Sequence, residues 1–209
     1  MKFKYENVQS LSVKRIMDIF FSLIALPIVG IVTVIVSIII YFSDRGSVFY
    51  NAKRLGRNGN PFTMYKFRTM VENAPDIRLP DGSTYNAKDD PRVTRIGRFL
   101  RSTSIDEIPQ IINVFLGDMS FIGPRPDPLD WLDKYAPDEK IFLWVRPGLT
   151  GYNQAFFRNC ADGKAKIEND IYYAKNISFF LDLKIVVRTF RTLILRENIY
   201  VGDHRKSGK

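Results

Sequence analysis

The sequence has almost none of the side chains on which many nucleophilic and zinc-dependent enzymes rely. Among 209 residues there is one cysteine, Cys160, and one histidine, His204, which lies in a polar tail. A single cysteine excludes an intrachain disulfide and a cysteine zinc site. A Ser-His-Asp or Cys-His mechanism within one chain would depend on that tail histidine. If the chain is an enzyme, carboxylate, lysine, arginine or tyrosine side chains must therefore carry the chemistry.

The usual phosphate-binding loops are absent as well. Neither GxxxxGK[ST] nor GxGxxG occurs, and no zinc-ligand cluster, RNA-binding signature or helix-turn-helix pattern stands out. The net charge of +9 nevertheless favours anionic partners, such as phosphorylated substrates, acidic lipid head groups or nucleic acid. The length suits one domain of ordinary size plus a short extra element.

A run from Ile19 to Phe42 contains no charged residue. As a helix it would be about 36 Å long, enough to cross a hydrocarbon core of about 30 Å. Pro27 lies inside the run, where a proline removes one backbone hydrogen bond and clashes with the preceding turn. Basic residues flank both ends, so the positive-inside rule favours neither orientation. The residues alone favour one kinked crossing helix over a re-entrant helix, broken near Pro27, with both ends on the cytoplasmic side.

The rest of the chain predicts a mostly helical α+β domain. Residues 47–68 are predicted to form a β-hairpin, because β-favouring residues flank an Asn58-Gly59 turn signal. Ile177–Ile199 is amphipathic, and such a helix lies either in the membrane interface or on the domain's own core. The other predicted helical segments are Val93–Leu100, Asp127–Leu143 (one or two helices) and Lys164–Lys175.

Two adjacent carboxylates, Asp106 and Glu107, precede an apolar helical pattern that stops at Gly117. The pattern alone favours a capping box, with Ser104 as the N-cap and Glu107 reaching back to it. The functional interpretation places Asp106 at a helix N-terminus, which keeps it ionised beside N–H groups that bind phosphate. An ionised carboxylate can attack phosphorus, and Glu107 could bind Mg²⁺ or move a proton.

Three arginines are candidate phosphate ligands: Arg101, Arg125 and Arg158. Arg125 lies between two prolines, and a rigid turn that fixes a guanidinium suits bidentate phosphate binding. The ordinary alternative is a surface or ion-paired arginine. The other basic residues are expected to be solvated or lipid-facing: Lys66, Arg68, Arg95 and Arg98.

Several segments together resemble the small monotopic bacterial phosphoglycosyl transferases, also called bacterial sugar transferases. The matching pieces are KRIMD at 14–18, the apolar run, RLGRNGNPFTMYKFRTM at 54–70, RIGRFLRSTSIDEIPQIINVFLGDMSFIGPRP at 95–126, VRPGLTG at 145–151, RN at 158–159 and DIYYAKNISFFLDLKI at 170–185. They cover nearly the whole chain in order, and their joint occurrence is highly specific.

The resemblance implies transfer of a phospho-sugar from a UDP-sugar to polyprenol (undecaprenyl) phosphate, which releases UMP and starts glycan assembly. Asp106 would be the nucleophile that forms a covalent phospho-sugar, Glu107 would assist, and Mg²⁺ would lie at Asp106. Arg101, Arg125 and Arg158 fall where family members place arginines on phosphate or nearby carboxylates. The implied partners are the UDP-sugar, the polyprenol phosphate, the bilayer and downstream glycosyltransferases, with no nucleic acid.

The resemblance also implies the re-entrant interpretation. Residues 1–45 would form a membrane helix broken near Pro27. Residues 46–209 would form a catalytic domain with interfacial amphipathic helices, on the cytoplasmic face of the bacterial inner membrane. Two positions depart from the family pattern: Leu26 precedes the proline where many relatives carry serine, and Phe157 replaces a glycine.

Two other functions stay open from the residues. One is a membrane-anchored basic module that binds anionic lipid or nucleic acid without catalysis. The other is a glycosyltransferase that moves the sugar alone and releases UDP. The residues identify neither the sugar nor the glycan pathway.

Overall fold

The computed structural model of the chain describes residues 5–78, 85, 87, 89–157 and 163–195, with the side chains of residues 5–10 and 193–195 left out. Arg158 lies outside the described residues, as do Cys160 and His204.

Helices dominate the described chain, and small sheets complete an α+β fold, as predicted. The helices are α1 Tyr5–Asp44, α2 Arg95–Thr103, α3 Gln110–Leu116, α4 Tyr152–Phe156, α5 Gly163–Lys175 and α6 Phe179–Leu195. The strands are β1 Ala52–Leu55, β2 Pro61–Met64, β3 Ser120–Ile122 and β4 Gly148–Thr150. Short 3-10 turns occupy Arg57–Gly59, Ile105–Glu107, Leu129–Trp131 and Glu139–Trp144. The last two overlap residues 127–143, where one or two helices were predicted.

Helix α1 runs through Pro27 without ending there. The predicted break is therefore not confirmed, because the loss of one backbone hydrogen bond leaves the rest of the helical ladder in place. By length and composition the segment Leu11–Asp44 could cross a membrane, and its mean hydropathy reaches 3.0. Exposed apolar side chains line its middle: Phe20, Phe21, Leu23, Ile24, Ile28, Ile31, Val34 and Ile35. Such a surface is typical of a helix that contacts lipid.

Both halves of α1 also pack on the rest of the protein. Near its start, Asp18 Oδ1 accepts hydrogen bonds from Ser120 Oγ and from the Phe121 N–H, both at 3.1 Å. Near its end, Val36 and Ile40 pack in one cluster with Phe67 and Leu100. About 27 Å of helix separates Asp18 from Val36 at 1.5 Å per residue. The globular part of the chain therefore contacts α1 on either side of its exposed apolar middle.

Strands β1 and β2 form the predicted hairpin. They are antiparallel, with Ala52 opposite Met64 and Leu55 opposite Pro61. Asn58 and Gly59 adopt φ values of 60° and 77° in the turn, a left-handed conformation that these two residue types tolerate best. The local turn signal was sufficient to place this element.

Helices α2 and α3 also follow their sequence patterns. Arg95 and Arg98 on α2 are exposed, as expected. Helix α3 stops at Gly117, whose φ of 97° places it in the left-handed region and whose N–H donates to Asn113 O. The apolar pattern and its glycine stop are therefore confirmed.

The main core joins α5 and α6 to the 142–145 segment, with Phe142, Tyr173 and Ile185 buried within it. Helix α6 buries only one face. Its opposite face exposes Phe180, Val187 and Phe190, each by more than half. Core packing of this helix is thus established, and contact of its outer face with a membrane stays a prediction.

Candidate active site

Asp106 lies in the 3-10 turn Ile105–Glu107, before α3 and outside its first turn. The prediction of a capping box is wrong. Ser104 has a φ of 58°, and its side chain accepts no capping hydrogen bond. Since Pro109 directly precedes α3, the helix begins only at Gln110. The turn is held instead from across the fold, because the Phe67 N–H donates to the carbonyl of Asp106 at 3.0 Å.

Lys66 joins the two adjacent carboxylates. Its Nζ lies 2.7 Å from Asp106 Oδ2 and 3.4 Å from Glu107 Oε1. The sequence interpretation of Lys66 as solvated is therefore wrong, and so is that of Arg68, which is buried and pairs with Asp44. No local motif marked Lys66, although it directly follows the hairpin in the KFRTM segment.

Arg125 holds Glu107 from the other side. Its Nη2 lies 2.6 Å from Glu107 Oε1 and its Nη1 lies 3.5 Å from Oε2, so both nitrogens face the carboxylate. The Arg125 side chain remains 40% exposed, which leaves donors for a ligand. The arginine fixed by two prolines is thus at the carboxylate pair, where the sequence predicted a phosphate site.

The two carboxylates have opposite pKa shifts. Burial raises the pKa of Asp106, and the positive charge of Lys66 opposes this rise. Burial also raises the pKa of Glu107, but Arg125 and Lys66 outweigh it and lower that pKa to about 2. Glu107 therefore stays ionised at neutral pH and is a poor proton donor. Lys66 therefore favours the ionised form of Asp106, a role that the sequence interpretation attributed to a helix N-terminus.

The other two arginine predictions have different outcomes. Arg101 lies in the last turn of α2 and donates from Nε to Thr69 Oγ1 at 2.9 Å. Its charge lowers the pKa of Asp106, so it is close enough to act on the site. Arg158 lies outside the described residues, and its role stays a prediction. Phe157, the neighbouring departure from the family pattern, is 40% exposed.

A cavity of about 2340 Å³ contains this site. Its lining includes the charged residues Lys66, Arg101, Asp106, Glu107 and Arg125. Apolar side chains of α1 and α6 also line it, among them Phe21, Ala25, Leu183 and Phe190. The volume exceeds that of a pocket for one drug-sized ligand, about 300–1,000 Å³. The cavity is therefore larger than one small ligand needs, and its lining has both charged and apolar parts.

Strands β3 and β4 fix the turn that carries Arg125. They pair in parallel, with Ser120 opposite Gly148. The Gly123 N–H donates to Thr150 O and the Gly148 N–H donates to Pro124 O, both at 2.8 Å. An added Cβ at Gly148 would lie 2.1 Å from Gly123 N, so only glycine allows this approach. Arg125 therefore projects from a rigid support.

The KRIMD segment attaches α1 to helices α3 and α6. Arg15 donates to the carbonyls of Val114 and Phe115, at the end of α3. Lys14 Nζ pairs with Asp182 Oδ2 of α6 at 2.5 Å. Sequence reasoning used this segment only for the family resemblance and missed its contacts, since each joins residues about a hundred or more positions apart.

In the part of the chain that the structure describes, the candidate metal ligands at the site are the two adjacent carboxylates, Asp106 and Glu107. Among the described residues, no group of three or more His, Cys, Asp or Glu side chains is placed to hold a metal ion. Mg²⁺ does not require one, because it commonly binds one or two carboxylates together with substrate phosphates and water. Asp106 and Glu107 therefore fit a magnesium ion that arrives with a phosphorylated substrate.

A buried, lysine-paired carboxylate in a cavity that a long apolar helix also lines is a candidate nucleophile, and the sequence comparisons specify the family. The family described as "Bacterial sugar transferase" matches residues 9–196. The chain therefore belongs to the bacterial sugar transferase family, a family of transferase enzymes.

Curated relatives agree with this assignment. The uncharacterized sugar transferase EpsL of Bacillus subtilis is 36% identical over 91% of this chain and 92% of its own length. The UDP-N-acetylgalactosamine-undecaprenyl-phosphate N-acetylgalactosaminephosphotransferase of Aeromonas hydrophila is 37% identical over 87% of this chain and 44% of its own. The undecaprenyl-phosphate galactose phosphotransferase of Salmonella typhimurium is 38% identical over 75% of this chain and 35% of its own. The chain thus spans less than half the length of these two phosphotransferases.

Proposed function

We propose that this protein transfers a sugar phosphate from a UDP-sugar to a polyprenol phosphate, with Asp106 as the nucleophile and UMP as the released product. The observation that carries the proposal is the position of Asp106. It is a buried carboxylate 2.7 Å from Lys66 Nζ, in a cavity lined partly by apolar residues of α1. The names of two relatives, which specify undecaprenyl phosphate and a sugar phosphotransferase, support the substrate class.

The reaction follows from this arrangement in two steps. A carboxylate oxygen of Asp106 attacks the phosphorus next to the sugar, and the bond from that phosphorus to the bridging oxygen breaks. The electron pair stays on the oxygen, which leaves as the phosphate of UMP. In the second step an oxygen of the polyprenol phosphate attacks the same phosphorus and regenerates the Asp106 carboxylate. A covalent intermediate lets one site serve a soluble substrate and a lipid in turn.

The charged neighbours of Asp106 support this chemistry. Lys66 favours the ionised form of Asp106 against the effect of burial, since a nearby positive charge stabilises a carboxylate. Glu107 orients Arg125 through a bidentate pair and remains negative, so its role is positioning rather than proton transfer. Arg101 and Arg158 would complete the phosphate contacts.

Magnesium belongs to the proposal as well. Asp106, assisted by Glu107, would hold Mg²⁺ together with oxygens of the donor phosphates. When bound, the ion would neutralise phosphate charge.

We also propose that α1 bends at Pro27 without ending there, so that it enters the membrane from the cytoplasmic face and returns to it, with α6 lying in the interface. The contacts of Asp18 and Val36 support this topology, because each attaches a different half of α1 to the same globular part. A helix that crosses the bilayer would carry one of these halves to the opposite side. The exposed apolar side chains between them, and those of α6, would contact lipid.

A panel of UDP-sugars with undecaprenyl phosphate, assayed for UMP release in detergent, tests the function. We expect UMP release from at least one donor, and a phospho-sugar adduct on Asp106 by mass spectrometry. Asp106→Asn should abolish both, because the amide is a poor nucleophile. Asp133→Asn, a change at an exposed aspartate, is the matched control and should retain both.

The alternatives predict other products. Release of UDP would indicate transfer of the sugar alone. Salt-sensitive lipid or nucleic-acid binding that ignores Asp106, with no nucleotide released, would indicate a binding module. Normal turnover by Asp106→Asn would contradict the proposed mechanism.

A further inference from the structure

Arg54 is a charged side chain in the cavity, and the proposed reaction gives it no role. It lies on β1 and lines the same cavity as Asp106 and Arg125. The side chain is half-buried, and burial lowers the pKa of its guanidinium below the usual value. A buried charge normally has a partner of opposite sign, because desolvation without one is costly.

No such partner is present within the described part of the chain, where no hydrogen bond or ion pair involves the Arg54 side chain. The charges of Tyr50 and Asp127 favour its charged form, but those of Arg125 and Arg78 oppose it. Asp127 Oδ2 is already engaged, since Lys166 Nζ and Tyr135 Oη each lie 2.6 Å from it. This part of the cavity wall therefore has unmatched positive charge.

The backbone of Arg54 pairs with the segment that follows Arg125. Arg54 forms an antiparallel bridge with Pro128, and the Leu55 N–H donates to the carbonyl of Asp127 at 2.9 Å. Strand β1 is thus attached to the segment that directly follows the Arg125 turn. Two guanidinium groups on connected backbone segments, close enough for their charges to interact, can bind one phosphate, since each guanidinium offers two parallel hydrogen bonds.

The surroundings of Arg54 favour a water-soluble phosphate over a lipid phosphate. Arg78, whose charge acts on Arg54, pairs with Asp76 and Asp130, and all three side chains are at least one-third exposed. The apolar residues of α1 and α6 that also line the cavity, such as Phe21 and Leu183, are not charged groups that could pair with a phosphate.

We infer that Arg54, together with Arg125, forms the subsite for the nucleotide phosphate of the donor, the group that leaves as UMP. This inference rests on the proposed function. When the bond from the bridging oxygen to the sugar-side phosphorus breaks, negative charge grows on the nucleotide phosphate, and Arg54 pairs with that charge. Arg54 therefore acts in the first step and not in the attack by the polyprenol phosphate.

Calorimetric titration of the full chain in detergent with UMP tests the subsite without relying on turnover. We expect Arg54→Gln to weaken UMP binding by at least fivefold, with Arg54→Lys also weaker because lysine lacks the planar fork. Lys53→Gln is the matched control. Lys53 precedes Arg54 in β1, is exposed and points to the opposite face of the strand. The affinity of Lys53→Gln for UMP should therefore stay within twofold of the wild-type value.

The inference would be overturned if Arg54→Gln weakened UMP binding less than fivefold. It would also be overturned if Lys53→Gln weakened UMP binding as much as Arg54→Gln does. Thermal unfolding of each variant checks that it is folded. If Arg54→Gln does not fold, Arg54→Lys decides, with a threefold loss of UMP affinity as the required minimum.

Single-turnover measurements separate the two phosphate sources. Adduct formation from the UDP-sugar should slow in Arg54→Gln, whereas transfer from accumulated adduct to undecaprenyl phosphate should keep the wild-type rate. The opposite pattern would assign Arg54 to the lipid phosphate and overturn the nucleotide subsite. Unchanged UMP affinity with normal wild-type UMP release would reject only the Arg54 subsite. Failure of the wild type to release UMP from any donor would reject the proposed function.

Discussion

Lys66 contacts both members of the carboxylate pair, and it lies 40 positions before Asp106 in the chain. Its position depends on the tertiary hydrogen bond from the Phe67 N–H to the carbonyl of Asp106. At the scale of single residues, Lys66 is therefore the closest cation that favours the charged form of the buried Asp106 carboxylate.

Substitution of Lys66 tests that dependence. Lys66→Gln should slow adduct formation by roughly 30-fold or more, because loss of one partner of a buried charge pair costs about 2–5 kcal/mol. Lys66→Arg keeps the positive charge, so adduct formation should slow less in this variant. Rapid-quench mass spectrometry measures the adduct, with exposed Lys134→Gln as the control. Adduct formation at the wild-type rate in Lys66→Gln would contradict this role.

A second buried carboxylate gives a prediction about pH. Burial raises the pKa of Asp170 to about 6, against the attraction of Lys166. Between pH 3.8 and 6 the folded protein holds a proton on Asp170 that the unfolded chain has released. The free energy of unfolding should therefore fall as pH rises through this window, by about 3 kcal/mol.

Thermal unfolding in detergent from pH 4 to 7.5 checks this sign. Asp170→Asn removes the titrating group, so its midpoint should fall less steeply with pH than that of the wild type. Asp133→Asn should follow the wild type. Parallel curves for the wild type and Asp170→Asn would show that the Asp170 pKa is ordinary.

At the scale of elements, β3 and β4 position Arg125 through backbone contacts that tolerate no side chain. Gly148→Ala should destabilise the protein by about 1–3 kcal/mol, because its Cβ would lie 2.1 Å from Gly123 N. It should also reduce UMP release, since the displaced turn carries Arg125. Gly163→Ala has open space around its Cβ and should leave the unfolding midpoint unchanged. Equal midpoints for the two variants would refute the close approach.

Elements were predictable from sequence where their cause is local. The Asn58-Gly59 turn and the Gly117 stop depend on residues that favour left-handed backbone, and both were found as predicted. Ser104 adopts the same conformation, but serine rarely does so, and its pattern indicated a capping box instead. Local rules failed there because the turn at Asp106 is held by distant contacts with Phe67 and Lys66.

At the scale of the whole molecule, the topology of α1 is the main prediction. A single-cysteine series in a Cys160→Ser background tests it in intact cells. Cysteines introduced at Ser10 and at Ser47 flank the apolar run, and both should react with an impermeant maleimide only after the membrane is permeabilised. Reaction of either one from outside would show that α1 crosses the bilayer.

The cover that α1 gives to Phe67 has a practical outcome for anyone who wants a water-soluble version of this protein. Val36 and Ile40 shield Phe67, and the amide of Phe67 holds the backbone of Asp106. Deletion of α1 would expose the Phe67 ring to solvent and weaken the positioning of Asp106. A variant without α1 would therefore lose activity as well as membrane attachment. Crystallisation and inhibitor screening should use the full chain, with α1 embedded in a lipid nanodisc.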